Sequence, residues 1–282
     1  MYKKSHAWLF LAPAGLLLLV FSVIPAFAAL FLSFTKYDVI NPAEWVGLAN
    51  YKDLMGNNLF WKAMRNTAYY WILVTPALVV LPVFLAVLVN RGLAGVKAFR
   101  LIYYFPTLVS VVVTAFLWSW MFQSDGVLNY ILSLFGAEPL KWLTSKHMVL
   151  PSLALVTVWQ GLGYYMLFYL SGLQSVPEDL YEAADLDGAG FWRKQMVITF
   201  PMLRPVIFFV AVVSTMGAFK EFTLMMTMTQ GGPLKSSTTV VYLVFDEAFT
   251  KLHMGGASAM SFVLFLAILL LTVINKRYLD RE

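Results

Sequence analysis

The sequence predicts an all-α membrane protein with six transmembrane helices in a single domain, residues 1–282. Its residues are 60% hydrophobic and only 12% charged, whereas a soluble globular domain is about half apolar and a quarter charged. The apolar residues form six runs, each of roughly the 20 residues that a helix needs to cross about 30 Å of hydrocarbon. Lipid offers no water to unpaired backbone groups, and the alternating pattern of barrel strands is absent, so the runs are predicted to be helices.

The six predicted spans are residues 8–34, 66–89, 101–122, 148–174, 206–228 and 256–274. The first follows two lysines, as a secretory signal does, but it is much longer than the roughly 7–15-residue core of a signal. We therefore interpret it as an uncleaved helix. Because proline lacks a backbone donor, Pro13 and Pro25 are expected either to kink this helix or to place part of it at the interface.

Lys and Arg residues predict the orientation of the chain. The two termini, the second connection (which includes Arg91) and the fourth connection (175–204) together hold eleven of them, against eight on the opposite side. Because cytoplasmic loops carry the positive excess, both termini and the fourth connection are expected in the cytoplasm. The net charge of +5 then reflects topology. Without a basic cluster outside the membrane, it indicates no nucleic-acid partner.

Several kinds of catalytic chemistry are missing from the sequence. There is no cysteine, so no disulfide framework or thiol nucleophile is possible. The three histidines lie in a tail or in loops without zinc-ligand spacing, and no Gly-x-x-x-x-Gly-Lys phosphate loop occurs. The chain is therefore predicted to be non-catalytic and to bind no cofactor or metal itself.

The fourth connection is charged but has a helical pattern. It carries five acidic and three basic side chains between two apolar runs. Pro177, followed by two acidic residues, is a typical helix start, and Gly188 is placed to end that helix in a left-handed turn. A second short amphipathic helix, residues 191–200, is expected to stop before Pro201, because proline disfavours the helical conformation in the residue that precedes it.

This connection also carries a motif that resembles a known family. Its permease-like residues are Glu182, Ala183, Ala184, Asp187, Gly188, Ala189, Ile198 and Pro201. Their types and spacing resemble the signature loop of permease subunits of binding-protein-dependent ABC importers, specifically those of the maltose type, and we call residues 175–204 the signature loop. Where the family usually has Leu before the proline, this chain has Phe200. Weaker similarities, such as Gly231-Gly232-Pro233, extend over nearly the whole chain.

The resemblance implies a function and a set of partners. In this family the first helix of the loop is a coupling helix that seats in a groove of the ATPase. The chain would then be a pore subunit of an importer for a sugar or related polyhydroxylated solute, in a prokaryotic inner membrane. Its implied partners are a second homologous permease, an ATPase dimer that uses ATP and Mg, and an extracytoplasmic solute-binding protein. The residues alone also allow a solvated amphipathic connector with no partner.

Six intramembrane residues are candidates for contact with the solute. They are Trp118, Gln160, Tyr164, Tyr165, Lys220 and Glu221. A charge within a span costs about 2.5–3.5 kcal/mol on insertion scales, so the last two either contact solute, water or a neighbouring helix, or form an interhelical structural pair. An amide and flat phenol rings suit a sugar, but aromatic side chains are also typical of the membrane interface.

A different class of transporter remains possible from the residues. In a secondary transporter, Lys220 and Glu221 would be the ion-coupling groups. Such proteins commonly contain repeated halves, and no repeat relates the first three predicted spans to the last three. A membrane scaffold without a transported solute is a third, weaker alternative.

Overall fold

The computed structural model describes residues 4–90 and 95–279. They divide into one unit that includes the chain up to Trp61 and Leu243–Leu266, and a second unit that includes Lys62–Tyr242 and the chain from Ala267. Lys3, Arg91 and the last residues of the predicted cytoplasmic tail lie outside the described residues.

The elements before the signature loop are mostly helices. In chain order they are α1 (Lys4–Leu18), a π-turn (Leu19–Val23), α2 (Ile24–Ser33), the antiparallel strands β1 (Thr35–Lys36) and β2 (Glu44–Trp45), α3 (Ala49–Gly56), α4 (Asn58–Val89), α5 (Val96–Leu108), α6 (Val111–Met121), α7 (Val127–Leu134) and α8 (Val149–Gln174). In the two-stranded sheet, Thr35 pairs with Trp45 and Lys36 with Glu44.

The signature loop and the elements after it are also helical. They are α9 (Glu178–Leu186), α10 (Phe191–Lys194), a π-turn (Gln195–Thr199), α11 (Phe200–Met202), α12 (Arg204–Lys220), a π-turn (Met225–Thr229), α13 (Val240–Phe245), a π-turn (Asp246–Thr250) and α14 (Met254–Leu279). An all-α fold is therefore confirmed, apart from the two short strands.

Five helical segments among the described residues are long and apolar enough to cross a membrane, and a bent pair of helices makes a sixth. The first of them, Phe10–Ser33, is one continuous helical segment, and it contains Pro13 and Pro25, which were expected either to kink the helix or to place part of it at the interface. In the π-turn before Pro25, the Ile24 N–H bonds to the carbonyl of Leu19, five residues back. This wider turn lies where proline prevents regular helical bonding.

The second span begins earlier than predicted. α4 starts at Asn58 instead of at residue 66, because Asn57 caps its first turn. The Asn57 Oδ1 atom accepts hydrogen bonds from the backbone N–H groups of Leu59 and Phe60, at 2.9 and 3.2 Å. A side-chain acceptor at this position satisfies donors that have no partner within the helix.

The third predicted span, 101–122, is wrong as a single straight helix. α5 and α6 meet at an angle of 98°, across a break at Val109 and Ser110. Pro106 lies in the last turn of α5 and cannot donate a backbone hydrogen bond. The continuous apolar character of this run hid the break, since composition does not report backbone direction.

The fifth span is interrupted within the predicted segment 206–228. α12 ends at Lys220, Glu221 is extended (ψ 120°), and helical structure resumes at residue 223. The second unit therefore contains two discontinuous spans.

The buried core of the second unit lies among α4, α8 and α12. It includes Tyr70, Leu153, Tyr169 and Leu203, which are almost completely buried. Gly163 of α8 allows α5 to approach closely, because a Cβ atom there would lie 2.0 Å from the carbonyl oxygen of Tyr103. Small residues at helix contacts permit this kind of approach in membranes, and the contact places the broken third span beside α8.

Candidate functional site

The first helix of the signature loop has the structure that its sequence predicts. α9 begins directly after Pro177, with Glu178 and Asp179 in its first turn. Both carboxylates lie at the positive end of the helix dipole, where negative charge is favourable.

Gly188 ends α9 in the predicted left-handed turn. Its φ is +72°, a conformation that glycine adopts without a steric penalty. The Ala189 N–H bonds to the carbonyl of Ala184 at 2.8 Å, and the Gly188 N–H to that of Asp185 at 3.0 Å. These bonds satisfy carbonyls that the helix end would otherwise leave unpaired, so the chain reverses sharply at this glycine.

The second helical piece differs from its prediction at Pro201. Instead of stopping before this proline, the chain stays helical from α10 through the π-turn into α11, which ends at Met202. In the π-turn, the Phe200 N–H bonds five residues back, to the carbonyl of Gln195. The prediction assumed regular bonding four residues back, and the wider turn accommodates a residue without a donor.

Side-chain bonds connect the two halves of the signature loop. The hydroxyls of Tyr181 and Thr199 lie 2.9 Å apart, and Lys194 Nζ lies 2.6 Å from Asp185 Oδ1. At the base of the loop, Leu203 is fully buried. The loop is therefore held as one body whose two helices constrain each other.

The exposed surface of this body combines polar and apolar groups. Of the motif residues, Glu182, Ala183, Asp187 and Gly188 are exposed, whereas Ala184, Ala189, Ile198 and Pro201 are half-buried. Glu182 forms no ion pair with any described residue.

An apolar face accompanies these motif residues. It consists of Leu186, which is 91% exposed, together with Trp192, Met196 and Val197. The amphipathic helix predicted over residues 191–200 contains the last three of these residues, but their exposure and that of Leu186 were not predicted. Large apolar residues in a loop too polar to span were the available signal for such a surface.

A second candidate site is a cavity of about 260 Å³ in the second unit. Residues of α4, α5, α6, α8 and α12 line it, together with residues 221 and 224 at the helix break. Four of the six predicted solute contacts lie together on its wall: Gln160, Tyr164, Tyr165 and Glu221. It is therefore bordered by both discontinuous spans.

Two of these polar side chains form hydrogen bonds with backbone groups at the helix breaks. The Gln160 Nε2 atom donates to the carbonyl of Val109, at 3.0 Å, in the break of the third span. Glu221 Oε1 accepts the backbone N–H of Leu224, at 2.9 Å, where the fifth span resumes. Backbone groups freed at membrane depth need partners of this kind. Neither role was predicted from the sequence.

The two tyrosines form an aromatic wall of the cavity. The ring of Tyr164 lies edge-on to the rings of Tyr165 and Phe168, with centroids 5.2 and 5.0 Å apart. Within the described residues, neither tyrosine hydroxyl has a hydrogen-bond partner. Flat rings with available hydroxyls suit a polyhydroxylated solute.

The other two predicted solute contacts lie outside this cavity. Trp118 is only 8% exposed and packs against Phe122 and Trp159, with centroids 5.3 and 5.4 Å apart. Lys220, the last residue of α12, is exposed and does not line the cavity. It forms no ion pair with Glu221.

Two asparagine side chains outside the candidate sites hold the backbone in place. In the first unit, Asn50 Nδ2 donates to the carbonyls of Ser33 and Thr35, at 2.9 and 2.8 Å. In the second unit, Asn66 Nδ2 donates to the carbonyl of Thr238, at 2.9 Å. These residues stabilise connections between helices.

Comparisons with known proteins give one consistent result. The family model described as "Binding-protein-dependent transport system inner membrane component" matches residues 54–282. The probable ABC transporter permease protein YesP of Bacillus subtilis is 35% identical, over 94% of this chain and 87% of the relative. The lactose transport system permease protein LacF of Rhizobium radiobacter is 31% identical, over 97% and 94%.

A solved structure has a similar fold. It is a bacterial ABC transporter involved in the import of the acidic polysaccharide alginate, with a TM-score of 0.84. The match covers 98% of this chain and 96% of that chain at 22% sequence identity. At this identity the likeness concerns the fold alone.

Proposed function

The chain belongs to the family of inner membrane components of binding-protein-dependent transport systems, and from this premise we propose that it forms half of the pore of an ATP-driven importer. The other half is a second, homologous permease. A pair of ATPase subunits drives the pore, and an extracytoplasmic binding protein delivers a sugar or related polyhydroxylated solute. The lactose named for one relative supports this solute class.

The signature loop is the observation that carries this proposal. Its two helices are connected to each other, and its exposed surface combines Glu182, Ala183 and the apolar side chain of Leu186. Such a body fits a groove on another protein, because small residues permit close approach and an exposed apolar group gains from burial. When the ATPase subunits close, movement of the loop would be transmitted to α8 and α12, the helices on either side of it.

The excess of Lys and Arg supports a cytoplasmic position for the loop and for both termini. ATP hydrolysis would then take place in the partner subunits on the same side, with their own ATP and Mg. This chain would contribute movement and a path for the solute.

The cavity is the proposed contact point for the solute in this half of the pore. Its support is the set of hydroxyls and aromatic faces contributed by Tyr164 and Tyr165, beside the polar side chains of Gln160 and Glu221. Glu221 lies in one helix break and Gln160 bonds to the backbone of the other, and breaks of this kind are common at intramembrane binding sites.

Uptake measurements in vesicles test the proposal. The chain is expressed with its partner permease, ATPase and binding protein, and ATP is depleted while the ion gradient is clamped. We expect uptake to stop on ATP depletion and to be insensitive to collapse of the gradient. Uptake that persists without ATP and follows the ion gradient would contradict the proposal and favour a secondary transporter.

A further inference from the structure

The charge of the cavity restricts what it can hold. Among the residues that line it, Glu221 is the one charged side chain. The other polar lining groups are hydroxyls and an amide: Thr107, Thr157, Gln160, Tyr164, Tyr165 and Ser214. The wall therefore offers a carboxylate and neutral hydrogen-bonding groups, but no cation.

The carboxylate of Glu221 is held in a fixed position. The Oε1 atom of Glu221 accepts a hydrogen bond from the N–H of Leu224. The backbone carbonyl of Glu221 accepts one from the hydroxyl of Thr239, at 3.3 Å. The backbone N–H groups of Phe222 and Thr223 also stabilise the negative charge of the carboxylate, and it forms no ion pair with a described residue.

The nearest basic residue in sequence does not offset this charge. Lys220 precedes Glu221, but it is exposed and absent from the cavity wall. Neighbouring residues at a helix end point in different directions, and the two side chains form no ion pair. A solute in the cavity therefore meets a negative group that no cation in the cavity wall neutralises.

We propose that this cavity selects uncharged polyhydroxylated solutes and rejects anionic ones. This inference rests on the proposed function and narrows its solute class. A neutral sugar donates a hydroxyl hydrogen bond to the carboxylate, bonds to the tyrosine hydroxyls and packs on the aromatic wall. An anionic sugar instead brings a like charge close to Glu221 in a poorly screened environment.

Similar proteins are named for both neutral and acidic solutes. Lactose, named for one relative, is neutral, whereas the alginate of the matching structure is an acidic polysaccharide. The cavity places this chain with the neutral class.

Ligand titration of the assembled importer tests the inference. The complex of both permeases and the ATPase is placed in nanodiscs without binding protein, which removes selection outside the membrane. Saturation-transfer NMR then measures the binding of two probes of similar size, neutral maltotriose and anionic trigalacturonate. We expect maltotriose to bind at least about tenfold more tightly, since a single uncompensated like charge is worth this much or more.

Three variants test whether the carboxylate of Glu221 causes the difference in affinity between the two probes. E221Q retains an oxygen for the Leu224 N–H but removes the charge, and should reduce the difference by at least about tenfold. E221D shifts the cap but keeps the charge, and should preserve the difference. K220Q, which alters a residue outside the cavity, should also preserve it. The melting temperature of each complex is measured alongside.

The possible results are distinct. Trigalacturonate binding as tightly as maltotriose to the unaltered complex would overturn the inference while leaving the proposed function intact. An unchanged difference in a folded E221Q complex would also overturn it. Binding of neither probe would overturn it as well, whereas uptake in vesicles that persists without ATP would contradict the proposed function itself.

Discussion

Two glycines show how differently the membrane core and the signature loop are constrained. At Gly163, in α8, a Cβ atom would lie 2.0 Å from a carbonyl oxygen of α5, yet the residue has an ordinary helical backbone. At Gly188 nothing lies within 4 Å of a Cβ atom, but φ is +72°. Packing between helices therefore constrains the first position, and backbone conformation constrains the second. The open space around the second is available to a partner.

The largest effect is expected from Gly163→Val, which tests the packing side of this comparison. The new side chain would meet the backbone of α5, which cannot move away as a flexible side chain would. We expect a loss of about 3 kcal/mol or more in stability, measured as a loss of folded protein and a lower melting temperature. Gly217→Ala is the control, because a Cβ atom there meets nothing within 4 Å. If the valine variant folded with unchanged stability, α5 and α8 could not be packed as closely at Gly163 as the structure shows.

Leu186→Ser tests whether the exposed apolar face is a docking surface. The side chain is 91% exposed, so the stability of the chain should change by less than about 0.5 kcal/mol. Affinity for the ATPase should fall by about 1.5–3 kcal/mol, because burial of a leucine contributes that much. Affinity is measured by titrating the purified permease pair with the ATPase.

Leu234→Ser is the matched control, since Leu234 is also highly exposed but lies outside the signature loop. Equal ATPase affinity for both variants would show that the loop is not the docking surface.

Gly188→Val tests the backbone side of the comparison. A left-handed residue with a side chain costs about 1–2 kcal/mol, so the turn after α9 should distort and ATP-dependent uptake should fall. Gly188→Asn is the control, because asparagine tolerates this conformation and should retain most uptake. Normal ATPase recruitment and uptake in the valine variant would argue against the role of this turn.

The smallest effect is expected from Asp185→Asn. This change breaks the ion pair with Lys194, whose atoms lie 2.6 Å apart at an accessible position. Solvent and salt screen such pairs, so the loss of stability should stay below about 1 kcal/mol. Thermal unfolding at low and high salt measures it. A loss above about 2 kcal/mol would mean that the pair is far better shielded than its exposure indicates.

The parts of the structure that the sequence predicted depend on neighbouring residues. α9 begins after Pro177 and ends before Gly188, and each of these two ends depends on residues within five positions of it. Local patterns therefore contain the information needed to predict them. The apolar runs likewise locate the spans, because each run must by itself be long enough to cross the membrane.

The parts that were missed depend on distant partners. In the break of the third span, the carbonyl of Val109 accepts a hydrogen bond from Gln160, which is 51 residues away along the chain. Glu221 was recognised as an unusual intramembrane charge, but its role at a helix break requires knowing that α12 ends at Lys220. At Pro201 a π-turn replaced the expected helix end. A sequence pattern of regular period describes none of these irregular turns.

Site-specific cross-linking determines whether the signature loop docks on the ATPase. Because the chain contains no cysteine, Leu186→Cys introduces the single thiol of this subunit, and the importer is assembled with partner subunits from which cysteines have been removed, apart from one placed in the ATPase groove. A thiol cross-linker in vesicles should join this position to the ATPase, in a yield that changes when ATP is added. Membrane-impermeant reagents should label it only from the cytoplasmic side. Labelling from the outer side, or no cross-link to the ATPase in an importer that transports normally, would contradict the account.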